Sequence, residues 1–174
     1  MVFGTMISDK ELSQEFHQII EKHKGILFKV AKTYCRNDED RQDLLQEMMI
    51  QIWKSLNKYN ETFAITTWLY RISLNVAISF YRKNANRQNS NIPLIEDLVS
   101  IQDDVSNKKK EQLSLLERFI SELNDLDKAI MLMYLEDKSH AEIAETMGLS
   151  VTNVGTKLGR IKEKLKKKFS QINS

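Results

Sequence analysis

The stretch Ser-His-Ala-Glu-Ile-Ala-Glu-Thr-Met-Gly-Leu-Ser, residues 139–150, contains the signals for one helix end and two helix starts. Ser139 followed three residues later by Glu142 is a capping box, in which the hydroxyl accepts a backbone N–H and the carboxylate accepts the N–H of the cap. Gly148 stands where the short helix has to stop, because glycine takes the left-handed conformation without a Cβ clash. Ser150 then provides an N-cap for the next helix. The stretch predicts two helices joined by a tight turn.

The helix that follows Ser150 has one apolar and one polar face. Its apolar residues recur at steps of four, three and four, which is helical spacing; they are Val154, Leu158, Ile161 and Leu165. The opposite face carries Asn153, Thr156, Lys157, Arg160 and Lys164. Asparagine and arginine form bidentate bonds with base edges, and lysine and threonine hold phosphates. An αα-hairpin with a solvated basic face is the alternative, but the combination favours a helix-turn-helix over residues 139–166 that binds duplex DNA.

The rest of the chain also predicts helices. Ser8 and Glu11 form a capping box before a helix that continues past Gly25, a second helix spans about 39–56, and a third begins near 66 or 67. No stretch alternates polar and apolar residues as a strand does, so the expected fold class is all-α. The residues expected to point inward are Leu45, Met48, Met49, Ile52 and Leu56 in the second helix, Leu69, Ile72, Val76 and Phe80 in the third, and further on Leu113, Leu116, Phe119, Ile120 and Leu123, then Leu126, Ile130, Leu132, Met133 and Leu135.

Residues 84–107 differ from both flanks. They contain the chain's only proline, Pro93, which lacks a backbone donor and disfavours helix in the residue before it. Acidic residues outnumber basic ones there, and no helical period persists. We expect a flexible acidic linker between two small domains, residues 8–83 and 108–170.

Composition excludes several classes of protein. The chain has 174 residues, of which 41% are hydrophobic and 29% charged, which suits one medium or two small globular domains. No apolar run reaches the roughly 20 residues that span a bilayer, and the first ten residues do not resemble a secretory signal. Cys35 stands alone beside three scattered histidines, so neither a disulfide nor a Cys/His zinc set is expected. We expect a cytoplasmic protein with no metal or cofactor.

Two features distinguish the predicted first domain. Asp43, Gln46 and Glu47 share an outward helix face whose acidity suits an arginine-rich partner helix. Residues 63–83 then interleave aromatic, amide and basic side chains, with no acid between Glu61 and Glu96. Aromatic faces stack on unpaired bases while cations hold the phosphate backbone, which is the chemistry of single-strand capture. Taken alone, Trp68, Tyr70 and Phe80 would more often be residues of a helical core.

In combination these motifs closely resemble the extracytoplasmic-function (ECF) sigma factors, the two-domain initiation factors of bacterial RNA polymerase. The resemblance rests on Asp-Leu-Leu-Gln-Glu at 43–47, Thr-Trp-Leu-Tyr-Arg-Ile at 67–72 with Asn75, and the stretch at 139–150, which occur in the family's order. It covers about residues 23–83 and 113–169. The chain has no room for the extra regions of housekeeping sigma factors.

The resemblance implies a role for each surface. The helix with Asp43, Gln46 and Glu47 would dock on the β′ clamp of core RNA polymerase, and the second domain would rest on the β flap. The −10 element would be melted and held by Thr67, Trp68, Arg71, Asn75, Ser79, Arg82 and Lys83, with the loop at 60–65. The −35 element would be read by Ser150, Thr152, Asn153, Thr156, Lys157 and Arg160. The linker would thread the polymerase, an anti-sigma factor would restrain the protein, and all catalysis would belong to the polymerase.

Three positions depart from the family pattern in the second helix of the motif. Gly155 stands where many members have a basic residue, and Lys157 where arginine is commoner, so the bidentate fork is lost. Gly159 weakens the helix by about 1 kcal/mol relative to alanine.

Two other functions are compatible with parts of the sequence. A conventional one-component regulator would use the same helix-turn-helix but would leave the Trp68 segment and the Asp43 face without a role. A metal-dependent nuclease could use Asp38, Asp40, Asp43 and Glu47, although acids near a helix start are favoured electrostatically in any case.

Overall fold

The computed structural model describes residues 8–85 and 107–173, and this part of the chain consists of helices joined by turns and loops, without a strand. Contacts between Cα atoms divide the chain into two compact units, residues 1–81 and 82–174. The all-α prediction is confirmed. The described residues form seven helices: α1 (Asp9–Tyr34), α2 (Asp38–Leu56), α3 (Ile65–Ala85), α4 (Asn107–Ser121), α5 (Asp125–Leu135), α6 (His140–Met147) and α7 (Val151–Ile172).

The first two helices pack antiparallel and are joined by a short, tightly bonded turn. Ser8 and Glu11 form the predicted capping box at the start of α1. Asn37 caps α2 by accepting the N–H of Asp40 at 2.7 Å. The guanidinium of Arg41 donates to the carbonyl oxygens of Cys35 and Arg36, both at 3.0 Å, which satisfies acceptors that the end of α1 leaves without a helical partner.

The buried stripe of α2 lies one residue away from part of the expected one. Leu44, Met48, Ile52 and Leu56 form a ladder of buried side chains at steps of four. Leu45 and Met49, which the sequence placed inward, are only half-buried. When two apolar residues follow each other in every turn, the sequence does not show which of the two is buried. In α2, which packs against α1, the buried residue of the first pair is Leu44 and not Leu45.

The buried stripe of α3 also differs from the expected one. Its buried residues are Thr67, Leu69, Tyr70, Ser73, Leu74 and Ala77, whereas Ile72, Val76 and Phe80 are half-buried. The prediction considered large apolar side chains alone, whereas the small residues Ser73 and Ala77 are fully buried in α3.

The second unit packs α4 to α7 around a separate core. The ladder Val154, Leu158, Ile161 and Leu165 of α7 is fully buried, as predicted. Phe119 of α4 and Phe169 of α7 meet edge to face with ring centroids 5.0 Å apart. Five expected core residues are not fully in it. Leu113 is 57% exposed in the early part of α4, Leu135 is 47% exposed at the last position of α5, and three others are only half-buried, namely Leu116, Leu123 and Leu126.

The predicted linker lies almost wholly outside the described residues. Helix α3 extends two residues into it and α4 begins at its last residue, Asn107. The limits of the two domains stay predictions. None of the helices in the described part is long and apolar enough to cross a membrane.

Candidate functional sites

The junction between α6 and α7 has the geometry that the sequence predicts. The Ser139 hydroxyl accepts the N–H of Glu142 at 3.1 Å, and the Ser139 N–H donates to the Glu142 carboxylate at 2.7 Å. This N–H holds the pKa of Glu142 below its usual value, and Lys138 lowers that pKa further. The capping box therefore fixes the first residue of α6 and keeps its glutamate ionised.

Gly148 makes the turn between the two helices. Its φ of 68° and ψ of 35° are left-handed, and the N–H of Leu149 donates to the Ala144 carbonyl at 2.9 Å. Ala144 is buried, so α6 can approach α7 closely at this point. Ser150 then accepts the N–H of Asn153 at 3.1 Å and starts α7 two residues after the glycine.

The predicted reading face of α7 is on the surface. Five of its six residues are exposed, and Lys157 is half-buried at one edge of the helix. The Thr156 hydroxyl donates to the Thr152 carbonyl at 3.0 Å, which leaves its lone pairs free to accept. Within the described part of the chain no ion pair engages Arg160. The exposed residues are Ser150, Thr152, Asn153, Thr156 and Arg160.

Two lysines at the basic end of α7 contact other side chains of the unit. Lys162 lies 4.2 Å from the centre of the Tyr134 ring, and Lys168 pairs with Glu122 and stacks on Phe119. These two lysines stabilise the unit. Lys164, Lys166 and Lys167 are exposed and remain candidates for contacts with a phosphate backbone.

Most of the residues singled out in α3 lie in one stripe. Trp68, Arg71, Asn75, Ser79 and Arg82 follow each other at steps of three, four, four and three, opposite the buried stripe. Trp68 and Arg71 are half-buried, and the other three are exposed. Lys83 is exposed beside them in the last turn. Thr67 differs from the others, because it is only 8% exposed and belongs to the buried side of α3.

The loop between α2 and α3 brings aromatic residues together in a way that the sequence did not reveal. The rings of Tyr59 and Trp68 lie 4.8 Å apart at 37°, and the Arg71 guanidinium lies 4.8 Å from the centre of the Phe63 ring. The Tyr59 hydroxyl donates to the Phe63 carbonyl at 2.7 Å. Burial raises the pKa of Tyr59, and Glu61 raises it further, so the phenol keeps the proton it donates. We call these four residues the aromatic cluster.

Two bends fix the path of this loop. Asn60 accepts from the N–H and the hydroxyl of Thr62, at 3.1 and 2.6 Å. Glu61 adopts a left-handed φ of 59°, which few residues other than glycine, asparagine or aspartate take readily. Sequence reasoning placed a nucleic-acid contact near this loop, but the pairing of Tyr59 with Trp68 depends on a turn that no motif announces.

The acidic face of α2 is as expected from the sequence, since Asp43, Gln46 and Glu47 are all exposed. The other two acids of the alternative nuclease set have structural partners: Asp38 pairs with Arg41, and Asp40 accepts from the Asn37 side chain at 2.8 Å. Among the described residues no group of three or more histidines, cysteines or acids could hold a metal ion.

Two helical units, one with a helix-turn-helix and one with an aromatic and basic stripe, define a two-domain nucleic-acid-binding protein. Two family models match the chain, Sigma-70 region 2 over residues 19–87 and Sigma-70, region 4 over residues 113–165.

Curated relatives match most of the chain. The ECF RNA polymerase sigma-E factor of Haemophilus influenzae is 27% identical over 90% of this chain and 88% of its own length. The sigma factor CnrH of Cupriavidus metallidurans is 28% identical over 86% of this chain and 84% of its own length. The chain therefore belongs to the sigma-70 family of RNA polymerase sigma factors, in its ECF group. Such proteins are non-enzymatic factors that direct promoter-specific transcription initiation.

Solved structures share the fold. CnrH in complex with the cytosolic domain of CnrY superposes with a TM-score of 0.66 at 20% identity, covering 91% of this chain and 90% of that one. The sigma factor RpoE of Bartonella quintana, in complex with the anti-sigma factor NepR, gives 0.67 at 15% identity, covering 91% and 96%.

Proposed function

We propose that this chain binds core RNA polymerase through α2 and holds one promoter at two places, the −10 element with α3 and the −35 element with α7. The observation that carries this proposal is the stripe of α3 beside the aromatic cluster, on the same chain as a helix-turn-helix. A conventional regulator of duplex DNA has no use for such a stripe. The domains proposed are residues 8–83 and 108–170, joined by the linker 84–107.

The −35 surface is the exposed face of α7. Asn153 and Arg160 have the side chains that bond base edges in the major groove, and Ser150, Thr152 and Thr156 offer hydroxyls to bases or phosphates. Lys157 is half-buried and lacks the arginine fork, so it contributes charge rather than base discrimination.

The −10 surface combines the stripe with the aromatic cluster. Unpaired bases of the non-template strand stack on aromatic rings, while Arg71, Arg82 and Lys83 hold the backbone. Asn75 and Ser79 lie between the aromatic rings and the basic residues at the end of α3, and they offer hydrogen bonds to the strand. We assign no strand contact to Thr67, because its side chain is buried; its part is to seat α3 against the core.

The acidic face of α2 docks on the basic coiled coil of the β′ clamp, and the second domain rests on the β flap. The linker passes through the polymerase. The chain itself catalyses no reaction, and it acts in the cytoplasm, where the chromosome and the polymerase are. An anti-sigma factor restrains it, as the relatives solved with CnrY and NepR suggest.

Run-off transcription with core enzyme on a pool of genomic promoter fragments tests the function. We expect RNA from a subset of fragments that share two motifs at a fixed spacing, and none from core enzyme alone. If no defined start point depends on the chain, the proposal is wrong. Binding of the chain to closed duplex, without any polymerase dependence, would favour the conventional regulator instead.

A further inference from the structure

On the edge of α7 that faces α6, Gly155 has no side chain and the imidazole of His140 lies beside it. A Cβ atom added at Gly155 would lie 3.7 Å from Nδ1 and 3.9 Å from Cε1 of His140, which is ordinary van der Waals contact. The imidazole therefore rests on α7 where a side chain of residue 155 would begin. One turn further, a Cβ atom at Gly159 would meet nothing within 4 Å.

The same end of α7 lacks charge of its own. Residues 150–156 include no acidic or basic side chain, and the first cation, Lys157, is half-buried on the opposite edge of the helix. When a helix-turn-helix binds duplex DNA, its second helix enters the major groove by its N-terminal end and its first helix crosses the phosphate backbone. The phosphates beside this end of α7 would find no cationic partner on α7 itself.

His140 is exposed and is placed to fill that gap. An imidazole has at least one N–H donor in either protonation state, so it can bond a phosphate oxygen. The nearby acid, Glu142, has its carboxylate turned to the Ser139 N–H at 2.7 Å and is bound within the cap.

We propose that His140 binds the DNA phosphate backbone at the −35 element, and supplies from α6 the polar group that Gly155 cannot supply from α7. This inference rests on the proposed function of α7 and names a contact that α7 alone does not provide. Since phosphates carry no sequence, the contact adds affinity without discrimination between −35 sequences.

The test uses holoenzyme made from the full chain and core polymerase, on a promoter recovered by run-off transcription and on the same promoter with a scrambled −35 element. We expect His140→Ala to weaken binding to both by a similar factor, about threefold to tenfold. His17→Ala is the matched control, because His17 is an exposed histidine on α1, and it should leave both affinities unchanged. Equal binding by His140→Ala and wild type would overturn the inference, as would a loss confined to the intact −35 element.

A double-mutant cycle tests whether side chains at positions 140 and 155 contact the same phosphates. Gly155→Lys introduces a flexible cation whose side chain would begin in van der Waals contact with the imidazole and would offer a second partner to the same phosphates. We expect it to raise affinity more in the His140→Ala background than in the wild type. Equal gains in the two backgrounds would overturn the shared site. A wild-type holoenzyme that starts no RNA overturns the proposed function itself, whereas an active one indifferent to His140 overturns only this inference.

Discussion

The two proposed DNA surfaces are built in opposite ways. On α7 all the candidate residues except the half-buried Lys157 lie on an exposed helix face, and the buried residues are on the other side of the helix. On α3 the equivalent residues take part in the packing: Trp68 lies against Tyr59, and Arg71 lies over Phe63.

The difference matches the two states of DNA that the surfaces are proposed to bind. A duplex presents its base edges at the floor of a groove, so a rigid helix with free polar side chains is sufficient. A separated strand has to be given a surface on which its bases stack, and such a surface needs aromatic rings that are held in place.

The largest expected effect is the loss of binding to core polymerase, which would prevent both DNA surfaces from acting. Replacing Asp43 and Glu47 by lysine would set like charges against a basic clamp, which costs several kcal/mol, so we expect at least a hundredfold loss of core binding and of run-off RNA. Affinity for isolated −35 duplex should not change. The matched control reverses Glu15 and Glu21, two exposed acids of α1. Normal transcription by the Asp43 and Glu47 variant would show that α2 is not the docking helix.

The next prediction distinguishes strand separation at the −10 element from recognition of duplex DNA at the −35 element. Trp68→Ala removes a stacking ring and should reduce open-complex formation by roughly 1–3 kcal/mol. On a template with a mismatched bubble at −10 the defect should shrink, because the cost of strand separation has been removed. Permanganate reactivity of unpaired thymines measures both cases. A defect of the same size on both templates would mean that Trp68 does not assist melting.

Arg160→Ala provides the counterpart on α7. Loss of a bidentate contact should cost roughly 1–3 kcal/mol with the cognate −35 element and relax the sequence preference. A bubble at −10 should leave this loss unchanged. Lys166→Ala serves as the control, because an exposed lysine near the end of α7 should affect cognate and scrambled elements alike. If discrimination between the two elements survives, Arg160 does not read bases.

A smaller effect concerns the cap of α6. Ser139→Ala should destabilise the second unit by about 1 kcal/mol in chemical denaturation. The folded protein lowers the pKa of Glu142, so the stabilisation by this carboxylate is complete above the pKa that the group has in the unfolded chain and is lost as the pH falls through the lower folded value. Glu142→Gln should remove this part of the acid sensitivity. An unaltered pH profile in that variant would contradict the assignment.

The smallest effects have opposite signs at two glycines. Gly148 has a positive φ, so alanine there should cost about 1 kcal/mol although no atom would clash. Gly159 lies within α7 with open space around it, so alanine there should add up to about 1 kcal/mol. Thermal unfolding of the two variants gives the comparison. Shifts of the same sign would mean that backbone conformation does not decide the effect at these positions.

Sequence reasoning was most accurate where local chemistry decides the structure. The capping boxes, the turn at Gly148 and the ladder of α7 were all predicted, since each depends on residues a few positions apart. It was wrong where tertiary packing decides which of two adjacent apolar residues is buried, as with Leu44 and Leu45. It was also wrong where a small residue such as Ser73 belongs to the buried side of a helix.

The aromatic cluster could not be predicted for a related reason. Tyr59 and Trp68 are nine positions apart and meet only because the chain bends at Glu61. The outward stripe of α3, in contrast, follows from helical spacing alone. Thr67 is buried although it was assigned to the DNA-binding set. Helical spacing therefore predicts which side of α3 is exposed, but not which residues at the border of that side are buried.

The bond from the Tyr59 hydroxyl to the Phe63 carbonyl, with the Asn60 turn, has a thermodynamic consequence for strand capture. A loop that became ordered only on meeting DNA would subtract its lost freedom from the binding energy. This loop has given up that freedom during folding. In the proposed −10 contact, a base that stacks on this loop would therefore not have to offset the cost of ordering it.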